Sequence, residues 1–445
     1  MFQRDLTKGP VFHTLCVFAL PMILGNLLQQ GYNLVDTWVV GRFVGPGALA
    51  AVGSAFALMT FLTSVLLGLC MGSGVVFSLC FGRGDPGRLK ASIRAAFALT
   101  MALGALLTAG ALWGVDAIMA WMNIPREIAA MTRTYMVLVF WGIPAIAVYN
   151  FFGAYLKALG DSVVPLLFLG VSTALNIGLD ILLVAVWGQG AAGAAVATVA
   201  AQYVSGAGIA LYTLWKNPDL RKALGGLRLE KACLGEIVRY SFLTCLQQSV
   251  MNLGILMVQG LINSFGTTVM AAFAAGVKID SFAYMPAQEY GNAFSTFIAQ
   301  NKGAGQTGRI KQGVRCAVLT SVAYCLAVSL ALWFLAKPLM LIFVDPSETA
   351  ILAQGITYLH IIGPFYCGIG CLFLLYGLYR ALGRPAVSVV LTVISLGTRV
   401  ALSYVLSAVP AIGVVGIWWS IPIGWALADL TGLLLYLKKR NALVD

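Results

Sequence analysis

The sequence predicts an all-α polytopic membrane protein, with twelve transmembrane helices in two pseudo-symmetric six-helix bundles. Three observations lead to this fold class. Apolar residues make up 60% of the chain and charged residues only 10%, whereas a soluble domain carries roughly 25% charged residues. The apolar runs reach the ~20 residues that a helix needs to cross a bilayer. Basic residues gather on alternate loops, and the second half of the chain repeats the first.

Hydropathy places the spans between short polar loops. The stretch from Val44 to Phe81 contains no charged residue, and no interior segment has the composition of a soluble domain. The predicted spans are residues 12–40, 48–81, 95–114, 128–155, 163–187, 191–215, 237–263, 269–300, 314–336, 349–379, 386–408 and 411–437. They divide the chain into an N-terminal lobe over 1–215, a cytoplasmic linker over 216–236 and a C-terminal lobe over 237–445.

The distribution of Lys and Arg orients these helices. With the N-terminus inside, most basic residues between the spans fall on inner loops, and the outer loops hold only Arg42, Arg126, Arg133 and Lys337. This asymmetry follows the positive-inside rule and predicts cytoplasmic N- and C-termini. It also accounts for the net charge of +12 without nucleic acid as a partner. The first residues lack the pattern of a cleaved signal peptide, so we expect an uncleaved first span in a bacterial inner membrane.

An internal repeat covers nearly the whole chain. An offset of 221 aligns Gly45 with Gly266 and Arg88 with Arg309, and an offset of 223 aligns Tyr135 with Tyr358. Six spans per repeat is an even number, so both halves have the same orientation and their symmetry axis runs along the membrane normal. Such repeats are typical of transporters that work by alternating access, although some channels share them.

Cysteine and histidine give no sign of enzymatic or metal chemistry. The nine cysteines lie mostly within apolar runs, where free Cys packs as a small hydrophobic residue. Cys367 and Cys371 share a helix face, but no His completes a metal pattern with them. His13 and His360 form no recognisable catalytic group. We therefore expect no enzyme activity, no cofactor and no disulfide.

Charged residues inside the spans are the candidates for function, because each costs at least about 2.5 kcal/mol in the hydrocarbon. They are Asp36, Asp180, Lys278, Asp280, Glu289, Arg399 and Asp429.

The N-terminal half places two of these acids near other oxygen ligands. Asn176 precedes Asp180 by four residues, so both side chains lie on one helix face. The following turn centres near Gln189, which puts Asp180 and Thr198 at equal depth on neighbouring helices. Asp36 lies at a comparable depth near the outer end of the first span. These hard oxygen ligands predict a site for a proton or Na⁺.

Structural roles are the alternative for the same residues. Asp36 could cap the outer end of its helix or reach water. Asn176 and Thr198 could bond across helices simply as packing contacts. Pro21, fifteen residues before Asp36, removes a backbone hydrogen bond and invites a kink. That kink either moves Asp36 during transport or is a static bend.

The C-terminal half carries different charges at related positions. Lys278 and Asp280 are two residues apart and therefore point in different directions on a helix, and Glu289 is another acid in the same span. We expect these residues either to neutralise charge or to contact substrate, while Asp429 has no assigned role.

One charge of the C-terminal half has a counterpart in the acidic pocket. Arg399 falls at the repeat position of Asn176, and Ser403 at that of Asp180. The C-terminal half therefore lacks the acidic pocket and carries a fixed positive charge instead.

Three stretches resemble a known transporter family. FALPMILGNLLQQGYNLVDTWVVGRFVG in the first span, ALNIGLDILLV in the fifth and YMPAQEYGNAFSTFIAQNKGAG in the eighth resemble multidrug and toxic compound extrusion (MATE) transporters. The resemblance implies a V-shaped molecule of two six-helix lobes. It further implies export of bulky organic compounds, often cationic and aromatic, driven by inward Na⁺ or H⁺.

The resemblance also assigns roles to individual residues. Asp36, Asn176, Asp180 and Thr198 match the cation site, where Na⁺ is a possible ligand, and Pro21 matches the bending proline. Residues that match substrate-cavity positions are Gln29, Tyr32, Tyr135 and Asn150. Polar residues that could act in the C-terminal lobe are Lys278, Asp280, Glu289 and Arg399. The N-terminal half departs from the family pattern by carrying Leu79 and Arg83 where the C-terminal half reads AQNKGAG.

Other functions fit the sequence less well. A lipid-linked oligosaccharide flippase of the same superfamily should carry several cavity arginines, whereas Arg399 and Lys278 are the candidates here. An intramembrane enzyme needs an in-span nucleophile or metal set, and a channel would give currents much faster than any exchange cycle. We expect small cationic, amphipathic substrates, a lipid bilayer as environment and a monomer.

Overall fold

The computed structural model describes residues 4–122, 124, 126–226 and 229–444. Residues 227 and 228 of the predicted linker, and the outermost residues of both predicted lobes, lie outside this range. The chain forms two compact units. The first unit is Leu24–Cys245 together with the short segment that ends at Asp5, and the second is Leu6–Ile23 together with Leu246–Asp445.

Helices account for nearly all of the described residues, and none of these residues forms a β-strand. The helices up to residue 224 are α1 (Val11–Phe43), α2 (Pro46–Arg83), α3 (Pro86–Trp113), α4 (Val115–Trp121), α5 (Arg126–Phe140), α6 (Ile143–Ala158), α7 (Val163–Asp180), α8 (Gly190–Lys216) and α9 (Pro218–Leu224). The remaining helices are α10 (Lys231–Asn263), α11 (Thr267–Gly303), α12 (Thr307–Met340), α13 (Thr349–Ile362), α14 (Tyr366–Ala381), α15 (Pro385–Ser407) and α16 (Val414–Val444). A π-helical turn, Ile181–Val186, follows α7, and a short 3-10 segment, Gly363–Phe365, joins α13 to α14.

These helices confirm the predicted fold class. Within the described residues, 11 helical segments are long and apolar enough to cross a membrane, with α5–α6 and α13–α14 each counted as one. The remaining predicted span, 269–300, corresponds to α11. It is long enough at 37 residues, but Lys278, Asp280 and Glu289 lower its hydropathy. The chain is thus an all-α polytopic membrane protein whose least apolar crossing carries three of the candidate functional charges.

Backbone geometry repeats between the two halves. Gly84 ends α2 with φ 67°, and Gly305, at its repeat position after α11, has φ 68°. Gly160 after α6 has φ 87°, and Gly383 after α14 has φ 81°. A residue with a Cβ pays a steric cost at such positive φ values, so glycine terminates these helices at both copies. The internal repeat therefore extends to the local conformation of the turns.

Two helices, α1 and α10, contribute residues to both units. In the first unit, α2 and the beginning of α10 approach at glycine positions. A Cβ atom built on Gly72 would lie 2.6 Å from the Cα atom of Ser241. Beside it, the Ser73 and Ser241 hydroxyl oxygens lie 3.3 Å apart. The early part of α10 is therefore seated against α2 with no room for a larger side chain.

The second unit holds the segment that precedes α1. Gln300 and Asn301 of α11 are fully buried. The backbone N–H of Leu6 donates to Gln300 Oε1 over 3.1 Å, and Asn301 Nδ2 donates to the carbonyl oxygen of Leu6 over 3.2 Å. The first half has Leu79 and Cys80 at these repeat positions. The departure of its motif from AQNKGAG thus removes the two amides that bind this segment in the second unit.

Candidate functional site

Two buried carboxylates form the centre of the candidate site in the first unit. Asp36 on α1 is 9% exposed, and Asp180 at the end of α7 is fully buried. Their carboxyl groups lie close enough to interact electrostatically. Like charges at this distance repel strongly in a medium of low polarity, so a proton or another cation must neutralise one of them.

Three polar side chains surround the acids. Asn176, one helical turn before Asp180, is 1% exposed, and Thr198 on α8 is 9% exposed. Thr198 Oγ1 accepts hydrogen bonds from Asn176 Nδ2 at 3.4 Å and from the Tyr32 hydroxyl at 3.4 Å. The structure therefore brings α1, α7 and α8 together around the residues that the sequence places at equal depth.

Several buried oxygens of this group have no donor. Asp36 Oδ1, Asn176 Oδ1 and both carboxylate oxygens of Asp180 receive no hydrogen bond from any residue that the structure describes. A buried oxygen without a donor costs free energy comparable to a lost hydrogen bond, and more when it is charged. All four are hard oxygen ligands, which a hard cation or a shared proton can satisfy.

The helix changes its geometry directly after Asp180. Residues Ile181–Val186 are π-helical, and such segments often occur at functional sites. The segment ends at a turn where Gly188 and Gly190 have φ 65° and 62°. The sequence gives no signal for this change, since the apolar run continues unbroken through it.

Other predicted residues lie at varying distances from the acids. Tyr135 on α5 is buried and close enough to Asp36 for an electrostatic interaction. Gln29 is exposed one to two turns before Asp36 on α1. Asn150 Nδ2 donates to the carbonyl oxygen of Ile146 at 3.0 Å within α6. Pro21 lies inside α1, two residues before the end of the α1 segment that belongs to the second unit.

The second unit contains a different polar group. The Asp280 carboxylate on α11 accepts hydrogen bonds from the Tyr358 hydroxyl at 3.2 Å and from the Tyr366 hydroxyl. Arg399 on α15 interacts electrostatically with Asp280. The tyrosines were not among the predicted site residues. Tyr358 was detectable as the repeat of Tyr135, whereas Tyr366 aligns with Ile143 and leaves no such signal.

The remaining charges of α11 lie apart from this group. Lys278 is exposed, and its Nζ lies 5.9 Å from the centre of the Phe343 ring. Glu289 Oε1 accepts from Asn292 Nδ2 at 3.3 Å. Asn292 Oδ1 in turn accepts from Arg380 Nη2 at 3.0 Å. Lys278 and Asp280 therefore do point in different directions, and Glu289 belongs to a separate cluster with a buried arginine that sequence reasoning missed.

Several exposed charges form ordinary ion pairs. Arg133 Nε donates to Asp116 Oδ1 at 2.7 Å, and this bond lowers the pKa of the Asp116 carboxyl. Lys90 Nζ donates to Asp219 Oδ1 at 2.9 Å and likewise lowers the pKa of Asp219. In the part of the chain that the structure describes, no group of three or more His, Cys, Asp or Glu side chains could hold a metal ion.

Comparison with known proteins points to one family. The family model described as MatE matches residues 21–182 and 241–405. A protein named "Probable multidrug resistance protein YpnP" from Bacillus subtilis is 29% identical over 400 residues, which cover 89% of this chain and 88% of the relative. "Probable multidrug resistance protein NorM" from Thermotoga maritima is 25% identical over 94% of this chain and 91% of its own length.

Solved structures share the fold. A MOP superfamily transporter from Pyrococcus furiosus matches with a TM-score of 0.92 and 22% identity, and the match covers 99% of this chain and 98% of that one. A multidrug resistance MATE family transporter described in an outward-facing conformation matches with a TM-score of 0.91 and 22% identity over 98% of both chains. At this identity the agreement concerns the fold.

Proposed function

The chain belongs to the MATE family of membrane transporters, and from that premise we propose that it exports organic, cationic compounds in exchange for inward Na⁺ or H⁺. The protein acts as a monomer in a bacterial inner membrane, with both termini in the cytoplasm and no enzymatic step. Drugs or metabolites are its substrates. Curated relatives named as multidrug resistance proteins support the substrate class.

The observation that carries the proposal is the buried pair of Asp36 and Asp180. Their undonated oxygens make the site unstable when both groups are ionised and alone. A proton, a Na⁺ ion or an organic cation relieves this repulsion. Because each neutralises the same charge, binding of one weakens binding of another by the same factor in both directions. Loading the coupling ion from outside therefore releases the exported cation.

Both coupling ions are compatible with this chemistry. A proton shared between the two carboxyl groups needs no further ligand. Na⁺ would bind carboxylate oxygens of Asp36 and Asp180 together with Asn176 Oδ1, all of which are hard ligands. Aromatic rings beside the site favour flat organic cations, since Tyr32 and Tyr135 can attract them through their faces.

The test is flux of a fluorescent organic cation in proteoliposomes, with Na⁺ and pH gradients imposed separately. We expect one of the two gradients to drive uptake or release in the wild type. Asp180→Asn keeps the size of the side chain but removes the exchangeable charge, so gradient-driven flux should fall to the level of protein-free liposomes.

Asp161→Asn is the matched control. Asp161 is also fully buried, but its Oδ1 accepts from the backbone N–H groups of Val163 and Val164 at 3.2 and 3.1 Å, and an asparagine oxygen can accept the same bonds. This variant should retain coupled flux. Unchanged flux in a correctly inserted Asp180→Asn protein would refute the role of the acid pair, and ion currents without exchange would identify a channel.

A further inference from the structure

Arg399 lies on the inner face of α15 in the second unit. Its neighbours on that face, Ser395 and Ser403, are 5% and 0% exposed, whereas Val393 and Tyr404 on other faces are 50% and 49% exposed. A Cβ built on Gly424 of α16 would lie 3.6 Å from the Cβ of Arg399. Arg399 itself is half-buried and its Nε atom is buried, in a span where a charge costs at least about 2.5 kcal/mol.

The donors of this guanidinium have no protein partner. Arg399 Nε is buried without an acceptor, and Arg399 makes no hydrogen bond or ion pair with any residue that the structure describes. Asp280, Tyr284 and Tyr358 lie close enough to interact with it electrostatically without bonding it. Arginine presents five N–H donors in a fork that fits a carboxylate.

The nearby acid is already occupied by other donors. Tyr358 and Tyr366 donate to the two oxygens of Asp280. The Tyr358 ring is packed edge-on against Trp418, with centroids 5.0 Å apart, and against Phe273 at 5.5 Å. Because these contacts fix the tyrosine, Asp280 stays turned toward the hydroxyl groups. It lowers the local positive potential but leaves the guanidinium donors available.

We propose that Arg399 binds the carboxylate of a transported organic compound, so that the substrates of this protein include zwitterions as well as simple cations. The proposal deepens the proposed function, because it assumes that such compounds enter the protein for export. The ligand is recognised by a bidentate bond between the guanidinium fork and the carboxylate. Asp280 limits the net charge of the pocket, so a group with one negative charge is preferred over a multiply charged one.

Equilibrium binding of two matched dyes to the purified protein tests this. Rhodamine 110 carries a free carboxylate, and rhodamine 123 is its methyl ester with the same cationic ring system. Arg399→Gln should weaken rhodamine 110 binding by about tenfold or more, since a bond to a charged group is lost. Rhodamine 123 binding should change by less than about twofold, because the ester makes no such bond.

Two further variants separate charge from structural damage. Arg399→Lys keeps the charge and should restore part of the preference for rhodamine 110. Asp280→Asn removes a repelling charge and should strengthen rhodamine 110 binding in a protein with an unchanged elution profile. Equal changes for both dyes in Arg399→Gln, or no change for either, would overturn the proposal. So would displacement of rhodamine 110 from the wild type by phosphate or chloride alone, since the occupant would then be a free anion.

This measurement does not depend on ion coupling. A failure of Asp180→Asn to abolish gradient-driven flux would count against the acid pair and leave the dye preference unaffected. If the wild type shows normal coupled flux but Arg399→Gln binds rhodamine 110 as tightly as the wild type does, only the carboxylate site is refuted.

Discussion

The helices α7 and α15 are repeats of each other but carry charges of opposite sign. In the first unit, α7 presents Asn176 and Asp180. At the same repeat positions in the second unit, α15 presents Arg399 and Ser403. Tyr135 of the first unit aligns with Tyr358 of the second, so this position is a tyrosine in both copies. The same helical scaffold therefore presents a carboxylate in one unit and a guanidinium in the other.

The two sites also differ in how their charges are satisfied. The oxygens of Asp180 have no donor within the described part of the chain, whereas those of Asp280 receive fixed donors from Tyr358 and Tyr366. A carboxylate without a protein partner can exchange one cation for another, and a carboxylate bonded by hydroxyl groups has less to gain from exchange. We infer that the first unit exchanges the coupling ion for the cationic group of the substrate, and that the second unit recognises the carboxylate.

The largest effect should come from making the first site resemble the second. Asn176→Arg places a guanidinium one helical turn from Asp180, within reach of both acids. It would act as a permanent counter-ion, so no coupling ion would be needed and gradient-driven flux should fall to background. Stabilisation of the purified protein against heat by the coupling ion should disappear as well.

Asn176→Gln is the control for that substitution. It adds length without charge and should keep measurable coupled flux. An Asn176→Arg protein that still exchanges cations at the wild-type rate would contradict the exchange scheme.

A second prediction concerns the packing that distinguishes α2 from its repeat. Gly72 has almost no room beside Ser241, whereas its repeat position in α11 is Ala293, a residue fully buried with its Cβ. A Cβ at position 72 would meet backbone atoms at 2.6 Å, and backbone cannot shift cheaply. Gly72→Ala should therefore lower the free energy of unfolding by about 1–3 kcal/mol.

Gly74→Ala is the same substitution two residues along α2. A Cβ there would meet its nearest neighbour, the carbonyl oxygen of Ala154, at an ordinary 3.7 Å. This variant should leave the free energy of unfolding within about 0.5 kcal/mol of wild type, so the midpoint of thermal unfolding should change little. Equal midpoints for the two variants would show that the approach of α10 to α2 is looser than the structure indicates.

Much of this architecture could be predicted from the sequence. Apolar length, the distribution of Arg and Lys and the glycine repeat give the spans, because each follows from the physics of a bilayer or of a turn. Helix rise and a short turn also predict that α7 and α8 meet near Asn176 and Thr198, as the hydrogen bond between these two residues shows. The assignment of individual residues to a cation site came from their oxygen chemistry and from the family resemblance, and it stays a prediction.

The rest depends on tertiary contacts that no local rule describes. Tyr366 bonds Asp280 across helices distant in sequence, and its repeat partner Ile143 gives no hint of it. The π-helical turn after Asp180 interrupts a run whose composition is uniform. The first unit extends along α10 to Cys245, whereas the predicted C-terminal lobe begins at residue 237. In each case the packing between helices determines the structure, and the sequence alone does not show which residues come into contact.

The smallest predicted effect compares two arginines at one repeat position. Arg309 donates to the carbonyl oxygens of Leu6, Lys8 and Gly9 at 3.1, 2.7 and 2.6 Å. Arg88 instead forms a pair with Glu236 at 2.6 Å, with side chains 43% and 22% exposed.

Arg309→Gln removes several bonds to a segment whose Leu6 is fully buried, so the free energy of unfolding should fall by about 1–2 kcal/mol. Arg88→Gln should cost no more than about 1 kcal/mol, because an exposed pair is screened by water. The cost for Arg88 should shrink further in 0.5 M salt, while that for Arg309 should persist, because its acceptors are neutral carbonyl groups. Denaturant unfolding at low and high salt measures both, and an equal salt dependence for the two variants would mean that the repeat position has the same role in both units.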